Sequence, residues 1–262
     1  AEGKYPVVIK ADGLALGKGV LICENEQQAA DGVKEIMLDK KFGASGNHVV
    51  VEEFLTGPEV SVLSFTDGKV VKPMVSSMDH KRANDHDTGL NTGGMGTVAP
   101  NPYYTPDIAA ECMEKIFLPT IQAMNAEGCP FKGCLYFGLM LTPDGPKVIE
   151  YNCRFGDPET QVVLPLLEGD LLHIMEACTN GTLADEDVKF SDGAAACVIL
   201  ASGGYPVAYE KGKPISGLVD GQLPDEENVT VYHSGTALTE DGTLVTNGGR
   251  VLGVTATGPR LT

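Results

Sequence analysis

No long hydrophobic run interrupts this chain of 262 residues. Its apolar stretches, among them residues 7–9, 49–51 and 194–201, fall far below the roughly 20 residues that a membrane-crossing helix needs. No basic stretch leading into an apolar one marks a secretory leader. None of the seven cysteines, at positions 23, 112, 129, 134, 153, 178 and 197, lies in a C-x-x-C pair. That spacing and the odd count argue against a zinc knuckle, a redox motif or a disulfide framework. The thiols, Cys153 included, are expected to be buried and free in a reducing cytosol. Positive charge is scarce too: 19 Lys and Arg stand against 36 Asp and Glu, a net charge of −17. A field of that sign repels nucleic-acid backbones. It leaves room for a small anion in a locally basic pocket.

What is present reads as a globular chain, with 42% hydrophobic and 21% charged residues, long enough for one large domain or two compact ones. Residues 5–10 (YPVVIK) read as a buried strand, residues 11–19 as a Gly-rich loop and residues 20–23 as the returning strand. Asn25 is the expected N-cap of a helix reaching Lys40, with Ala29, Val33, Ile36 and Met37 as its apolar stripe. Strands are expected at 47–54 and 59–65, then a turn at Asp67-Gly68 into 69–75. Residues 76–102 are polar, Gly-rich and without apolar period, and read as one long functional loop. Thr105-Pro106-Asp107 opens a helix to about Glu127 that should bury Ile108, Cys112, Ile116, Ile121 and Met124. A second hairpin joins 132–141 to 147–152 around Asp144-Gly145, and 159–167 and 171–179 read as short helices. After Asn180 short strand candidates at 194–201, 229–233, 243–245 and 250–256 suggest a small β-rich domain.

Four segments carry chemistry. In the first, Gly13-x-x-x-Gly17-Lys18-Gly19 is neither a P-loop nor G-x-G-x-x-G. Its glycines still allow backbone N–H groups to turn toward phosphate, and Lys10 and Lys18 add charge. A plain surface connector would look the same. The second is an apolar strand ending in Glu52 and Glu53, followed by Phe54, Leu55 and Glu59; it suits a hinge pairing with an adenine edge, or merely a solvated strand end. In the third, KVIEYNCR at 147–154, Glu150 and Asn152 share a strand face. Their oxygens are hard ligands suited to Mg²⁺, and Arg154 shares that face if the strand continues. An acidic turn, FGDPE, follows at 155–159. The fourth is the long loop itself, with Asp79-His80-Lys81-Arg82, Asp85, Asp87 and then NTGGMG at 91–96, a mixture suited to a zwitterion and a phosphate. His80 and His86 lack a metal-ligand partner at a convincing spacing.

The segments VVIKADGLALGKGV, VVVEEFLTGPEVS, SMDHKRANDHDTGLNTGGMG, KVIEYNCRFGDPETQ and VTNGGRVLGV run in this order over nearly the whole chain. Together they resemble the phosphoribosylamine–glycine ligase family of the ATP-grasp superfamily. The resemblance implies an α+β fold: two α+β subdomains gripping ATP, at 1–55 and 56–185, then an incomplete β-rich C-terminal domain at 186–262. The family's N-terminal substrate domain is not matched, so the chain is expected to be a piece of a longer enzyme.

The resemblance also implies roles. Lys10 would bind the α/β-phosphates, and residues 13–19, with Gly13, Gly17, Lys18 and Gly19, would fold over the triphosphate. Glu52, Glu53, Phe54 and Leu55 would line the adenine hinge and Glu59 would hold the ribose. Glu150 and Asn152 would bind Mg²⁺, or Mn²⁺ in its place. Asp79, Lys81, Arg154 and Asp157 would surround glycine and an acyl phosphate. The implied activity joins glycine to 5-phosphoribosylamine with ATP as co-substrate, in the cytoplasm, by a monomer or weak dimer without nucleic-acid or membrane partners. The present segment alone is expected to be inactive. Another ATP-grasp carboxylate–amine ligase, or a nucleotide-binding module without catalysis, are the rival readings.

Overall fold

The computed structural model describes residues 3–15, 19–86, 88–224 and 226–261. They form two compact units, Ala1–Thr56 and Gly57–Thr262.

In the first unit, β1 (Val7–Ala11) runs between antiparallel neighbours β2 (Val20–Cys23) and β3 (Val49–Glu53). Helix α1 (Glu26–Val33) starts where expected, since the Asn25 side chain accepts from Gln28 N. A single π turn, Lys34–Leu38, extends it and ends short of Lys40, whose φ is +54°. Its apolar stripe covers one sheet face, burying Val7, Ile9, Cys23 and Ile36 against Ala29, Val33 and Met37. The register Lys10↔Val20, Lys10↔Val50, Val8↔Ile22 and Val8↔Glu52 puts these six residues on the other face.

The second unit is built on β4 (Glu59–Thr66), β5 (Val71–Pro73), β6 (Met78–Asp79), β7 (Arg82–Asn84), β8 (Thr88–Asn91) and β9 (Gly96–Ala99). Then come helices α2 (Pro106–Cys112) and α3 (Leu118–Ala126), joined by a π turn, and the hairpin β10 (Gly133–Thr142) and β11 (Gly145–Asn152). Short α4 (Thr160–Val163), β12 (Leu167–Glu168), α5 (Leu171–Asn180) and β13 (Lys189–Phe190) follow. The chain closes with β14 (Ala194–Ala201), β15 (Val229–His233), β16 (Thr236–Leu238), β17 (Leu244–Thr246) and β18 (Arg250–Gly258).

Two sheets dominate, in the orders β11-β10-β4-β5 and β15-β18-β14-β9-β6. Ser61 and Ser77 exchange backbone hydrogen bonds at 2.9 Å and stitch β4 to the start of the second. β4 is buried on both faces from Val60 to Thr66, Ser61 and Ser64 included. Val60 and Val62 join a core under α2 and α3, while Leu63 and Phe65 join one with α4, α5 and β14.

Three expectations change. Residues 76–102 are not one loop, because they contain β6 to β9. These strands are two to four residues long, and β9 gains its cover from β14, about a hundred positions later. The strands after Asn180 do not all keep to themselves: β16 and β17 pair with each other, but β14, β15 and β18 share a sheet with β9 and β6. Met124 is 37% exposed, not buried, since the helix turns Ile121 rather than Met124 into the core. Among the described residues no helix is long and apolar enough to cross a membrane.

Candidate active site

In the first unit, Lys10 Nζ lies 2.6 Å from Glu52 Oε2. The ion pair sits on the sheet face not covered by α1, ringed by the half-exposed Val20, Ile22 and Val50. An apolar strip with one cation in it suits a planar base joined to phosphates. Glu53 and Phe54 are exposed and Leu55 is half-buried. Gly13 is a packing glycine: its N donates to Ser45 O at 3.0 Å, and a Cβ there would lie 2.6 Å from Ser45 Cα. At Gly19 a Cβ would lie 2.7 Å from Ala15 Cβ. Gly17 and Lys18 lie outside the described residues.

In the second unit, Glu150 and Asn152 are neighbours on β11, with Asn152 Nδ2 3.4 Å from Glu150 Oε1. Glu150 pairs with Gly138 of β10, where a Cβ would press to 3.0 Å of Glu150 Cγ. The carboxylate is exposed. An exposed carboxylate beside a half-buried amide oxygen fits a Mg²⁺ whose remaining ligands are water and phosphate oxygens. They do not fit an all-protein cage, and among the described residues no group of three His, Cys, Asp or Glu could make one.

Arg154 does not share this face. β11 ends at Asn152, and exposed Arg154 donates through Nη1 to the carbonyl of its neighbour Phe155 at 2.8 Å. Cys153 is exposed rather than buried, as is Cys129, because each stands just outside a regular element. Cys134 is half-buried, and only Cys23, Cys112, Cys178 and Cys197 are buried.

The short strand β6 brings Asp79 next to Gly94, whose Cβ would lie 2.6 Å from Asp79 Oδ1. That oxygen is buried and has no hydrogen-bond partner among the described residues. Burial, then the charge of Glu159, push the Asp79 carboxyl up to about 7, against the pull of Lys81. Lys81 reaches Glu59 Oε2 at 2.9 Å. Burial pushes its ammonium pKa down, but the carboxylates of Glu59, Glu150 and Asp79 outweigh it and the net shift is upward. Asp157 Oδ1 accepts from Gln161 Nε2 at 2.7 Å, and Asp157 Oδ2 from Arg250 Nη2 at 3.0 Å.

The structure thus brings Asp79, Lys81 and Glu59 together and ties Asp157 to Arg250. Sequence reasoning missed Glu159, only 4% exposed and receiving Tyr136 OH at 3.1 Å and Ser61 Oγ at 3.4 Å. It also missed Gly138 and Arg250. Glu159 and Arg250 do lie within FGDPE and VTNGGRVLGV, so the segments flagged them although the residue types alone did not.

Residues 1–160 match the model of the phosphoribosylglycinamide synthetase ATP-grasp (A) domain. The chain belongs to the phosphoribosylglycinamide synthetase family. Residues 195–262 match the C domain of the same family. The chain is 48% identical over 258 residues to a phosphoribosylamine–glycine ligase of Vibrio parahaemolyticus, covering 98% of itself and 59% of that relative. It is 51% identical over 251 residues to the trifunctional purine biosynthetic protein adenosine-3 of Gallus gallus, covering 95% of itself and 25% of that relative. The crystal structure of a phosphoribosylamine–glycine ligase from Thermotoga maritima superposes with a TM-score of 0.88 at 37% identity, over 99% of this chain and 63% of that one. A biotin carboxylase domain from Hydrogenobacter thermophilus shares the fold alone, with a TM-score of 0.71 at 17% identity. Members of the phosphoribosylglycinamide synthetase family have the ATP-grasp fold, and this chain has it too. It spans less than two thirds of the length of the bacterial relatives it matches.

Proposed function

We propose that this chain carries the nucleotide, metal and amino-acid residues of an ATP-dependent ligase joining glycine to 5-phosphoribosylamine. Lys10, Gly13, Gly17, Lys18 and Gly19 take the triphosphate; Glu52, Glu53, Phe54 and Leu55 take the adenine; Glu59 takes the ribose. Residues 1–55 and 56–185 are the two nucleotide-binding parts and 186–262 the C-terminal part. Asp79, Lys81 and Asp157 face glycine, with Arg154 a further anion contact from outside the strand. The Lys81 cluster carries the amino-acid part of this reading: one ammonium set among Glu59, Asp79 and Glu150 offers charge of both signs to a zwitterion.

In the first step a glycine carboxylate oxygen attacks the γ-phosphorus and the bond to ADP breaks. In the second the amine nitrogen of phosphoribosylamine attacks the glycyl carbon, phosphate leaves, and the nitrogen loses a proton. Lys81 neutralises charge on the transferring phosphoryl group, work that needs positioning and electrostatics rather than a protein nucleophile. Mg²⁺ held by Glu150 and Asn152 would offset the charge of the phosphate oxygens. The site accordingly needs neither a Ser–His nor a Cys–His pair.

The test is ADP release by the complete polypeptide carrying this sequence, with glycine and phosphoribosylamine supplied. Release that depends on glycine supports the reading. Release that depends on another carboxylate points to a different ATP-grasp ligase, and ATP binding without turnover points to a binding module.

A further inference from the structure

Three segments far apart in sequence meet at Arg250, the first residue of β18. Its Nη1 donates to Gly93 O at 2.8 Å and to Asp157 O at 2.7 Å, and its Nη2 donates to Asp157 Oδ2 at 3.0 Å. Gly94 O lies 3.5 Å from Nη1. A side chain on either glycine would crowd this junction. A Cβ on Gly93 would lie 2.9 Å from Arg250 Cζ. Gly94 has φ +110°, and a Cβ on it would meet Pro158 Cδ at 2.5 Å and Asp79 Oδ1 at 2.6 Å. Tyr205 OH accepts from Gly93 N at 3.0 Å, so both backbone polar groups of Gly93 are held. One guanidinium therefore locates two acids, Asp157 by direct bonds and Asp79 through the backbone of Gly93 and Gly94.

We infer that Arg250 is a positioning residue of the amino-acid site, setting the spacing of Asp157 and Asp79 around a small zwitterionic substrate. The inference rests on the reading of that site as the glycine site. Both protons of Nη1 and one of Nη2 are engaged within the protein, so the guanidinium acts through the acids it holds. Its rigid planar fork fixes the directions of bonds to two segments at once, whereas the three donors of a lysine rotate about a flexible stem. Among the described residues of its own unit, Arg250 makes no hydrogen bond or ion pair with Glu59, Glu150 or Asn152.

The experiment uses Arg250→Ala and Arg250→Lys in the complete polypeptide carrying this sequence. ADP release is measured with glycine varied at saturating Mg-ATP, then with Mg-ATP varied at saturating glycine. KM for glycine should rise roughly tenfold to a hundredfold in Arg250→Ala, the scale expected for misplaced substrate contacts. It should rise less in Arg250→Lys, and KM for ATP should stay within about twofold of its starting value. An unchanged KM for glycine, or an equal rise in both constants, overturns the inference. Hydrogen exchange at the amides of Gly93, Gly94 and Met95 gives a readout that needs no substrate. It should quicken in Arg250→Ala while amides of β10 keep their protection; unchanged exchange at 93–95 also overturns the inference. If the unmutated enzyme shows no glycine-dependent release, the glycine reading fails and exchange alone judges the clamp. If Arg250→Ala does not fold, Arg250→Lys carries both readouts.

Discussion

Glu150 and Asp79 are both carboxylates, yet their surroundings differ. Glu150 is exposed, with Asn152 beside it on the same strand face, so its charge is available to a divalent cation. Glu150→Gln keeps the shape and removes the charge, and should cut ligase turnover by about a hundredfold or more at ordinary Mg²⁺. Steady-state ADP release measures it. Asp79 sits beside Glu159 with Oδ1 buried and without a hydrogen-bond partner among the described residues. Its pKa is raised to about 7 in the fold, from an ordinary carboxylate value. Between those two values the folded chain binds the extra proton, so this group lowers stability as pH rises through that window. Asp79→Asn should therefore flatten the fall in melting temperature between about pH 4 and pH 7 in metal-free buffer. A curve parallel to that of the unmutated protein would show that Asp79 does not titrate there.

The hairpin β10–β11 shows how an element supports a site that its own strand cannot protect. Gly138 stands across from Glu150, and its missing side chain gives the carboxylate stem room. Gly138→Ala would bring a methyl to 3.0 Å of Glu150 Cγ. Because Glu150 is exposed, the stem can swing away and the fold should survive. The half-saturating Mg²⁺ concentration for ADP release should rise about tenfold, the scale seen when a residue behind a metal ligand is altered. Circular dichroism on the same variant separates this from unfolding. The pattern of Glu150 and Asn152 two apart on a strand was legible in sequence. The end of that strand was not, so Arg154 was expected on a face the backbone had already left. Likewise β6 to β9 are too short to show a period of their own. Their partners lie on β14 and on each other, and no local pattern reports a partner that distant.

At the scale of the molecule, the residues proposed for ATP and Mg²⁺ all fall within a chain that spans 59% of a bacterial relative. A 262-residue polypeptide of this sequence should bind Mg-ATP in a calorimetric titration and release no glycinamide ribonucleotide; full ligase activity from it would show that the further length of the relatives is not needed to take the amine. The sequence by itself determined the elements with strong local signals. Asn25 and Thr105 cap helices because a side-chain oxygen next to an apolar stripe satisfies the first free N–H groups. Asp67-Gly68 and Asp144-Gly145 turn the chain because Gly68 and Gly145 take the positive φ those turns require. The five ordered segments also carried the family and most of the proposed site, since their residue types follow from the ligands they would hold. Only the tertiary structure decided that β14 and β18 share a sheet with β9 and β6, and that Glu159 is buried against Tyr136 and Ser61. It alone joined Arg250 to Gly93 and Asp157, positions 157 and 93 residues away along the chain. A hydrogen bond depends on distance in space, and the order of residues along a chain does not report that distance until the sheets have formed.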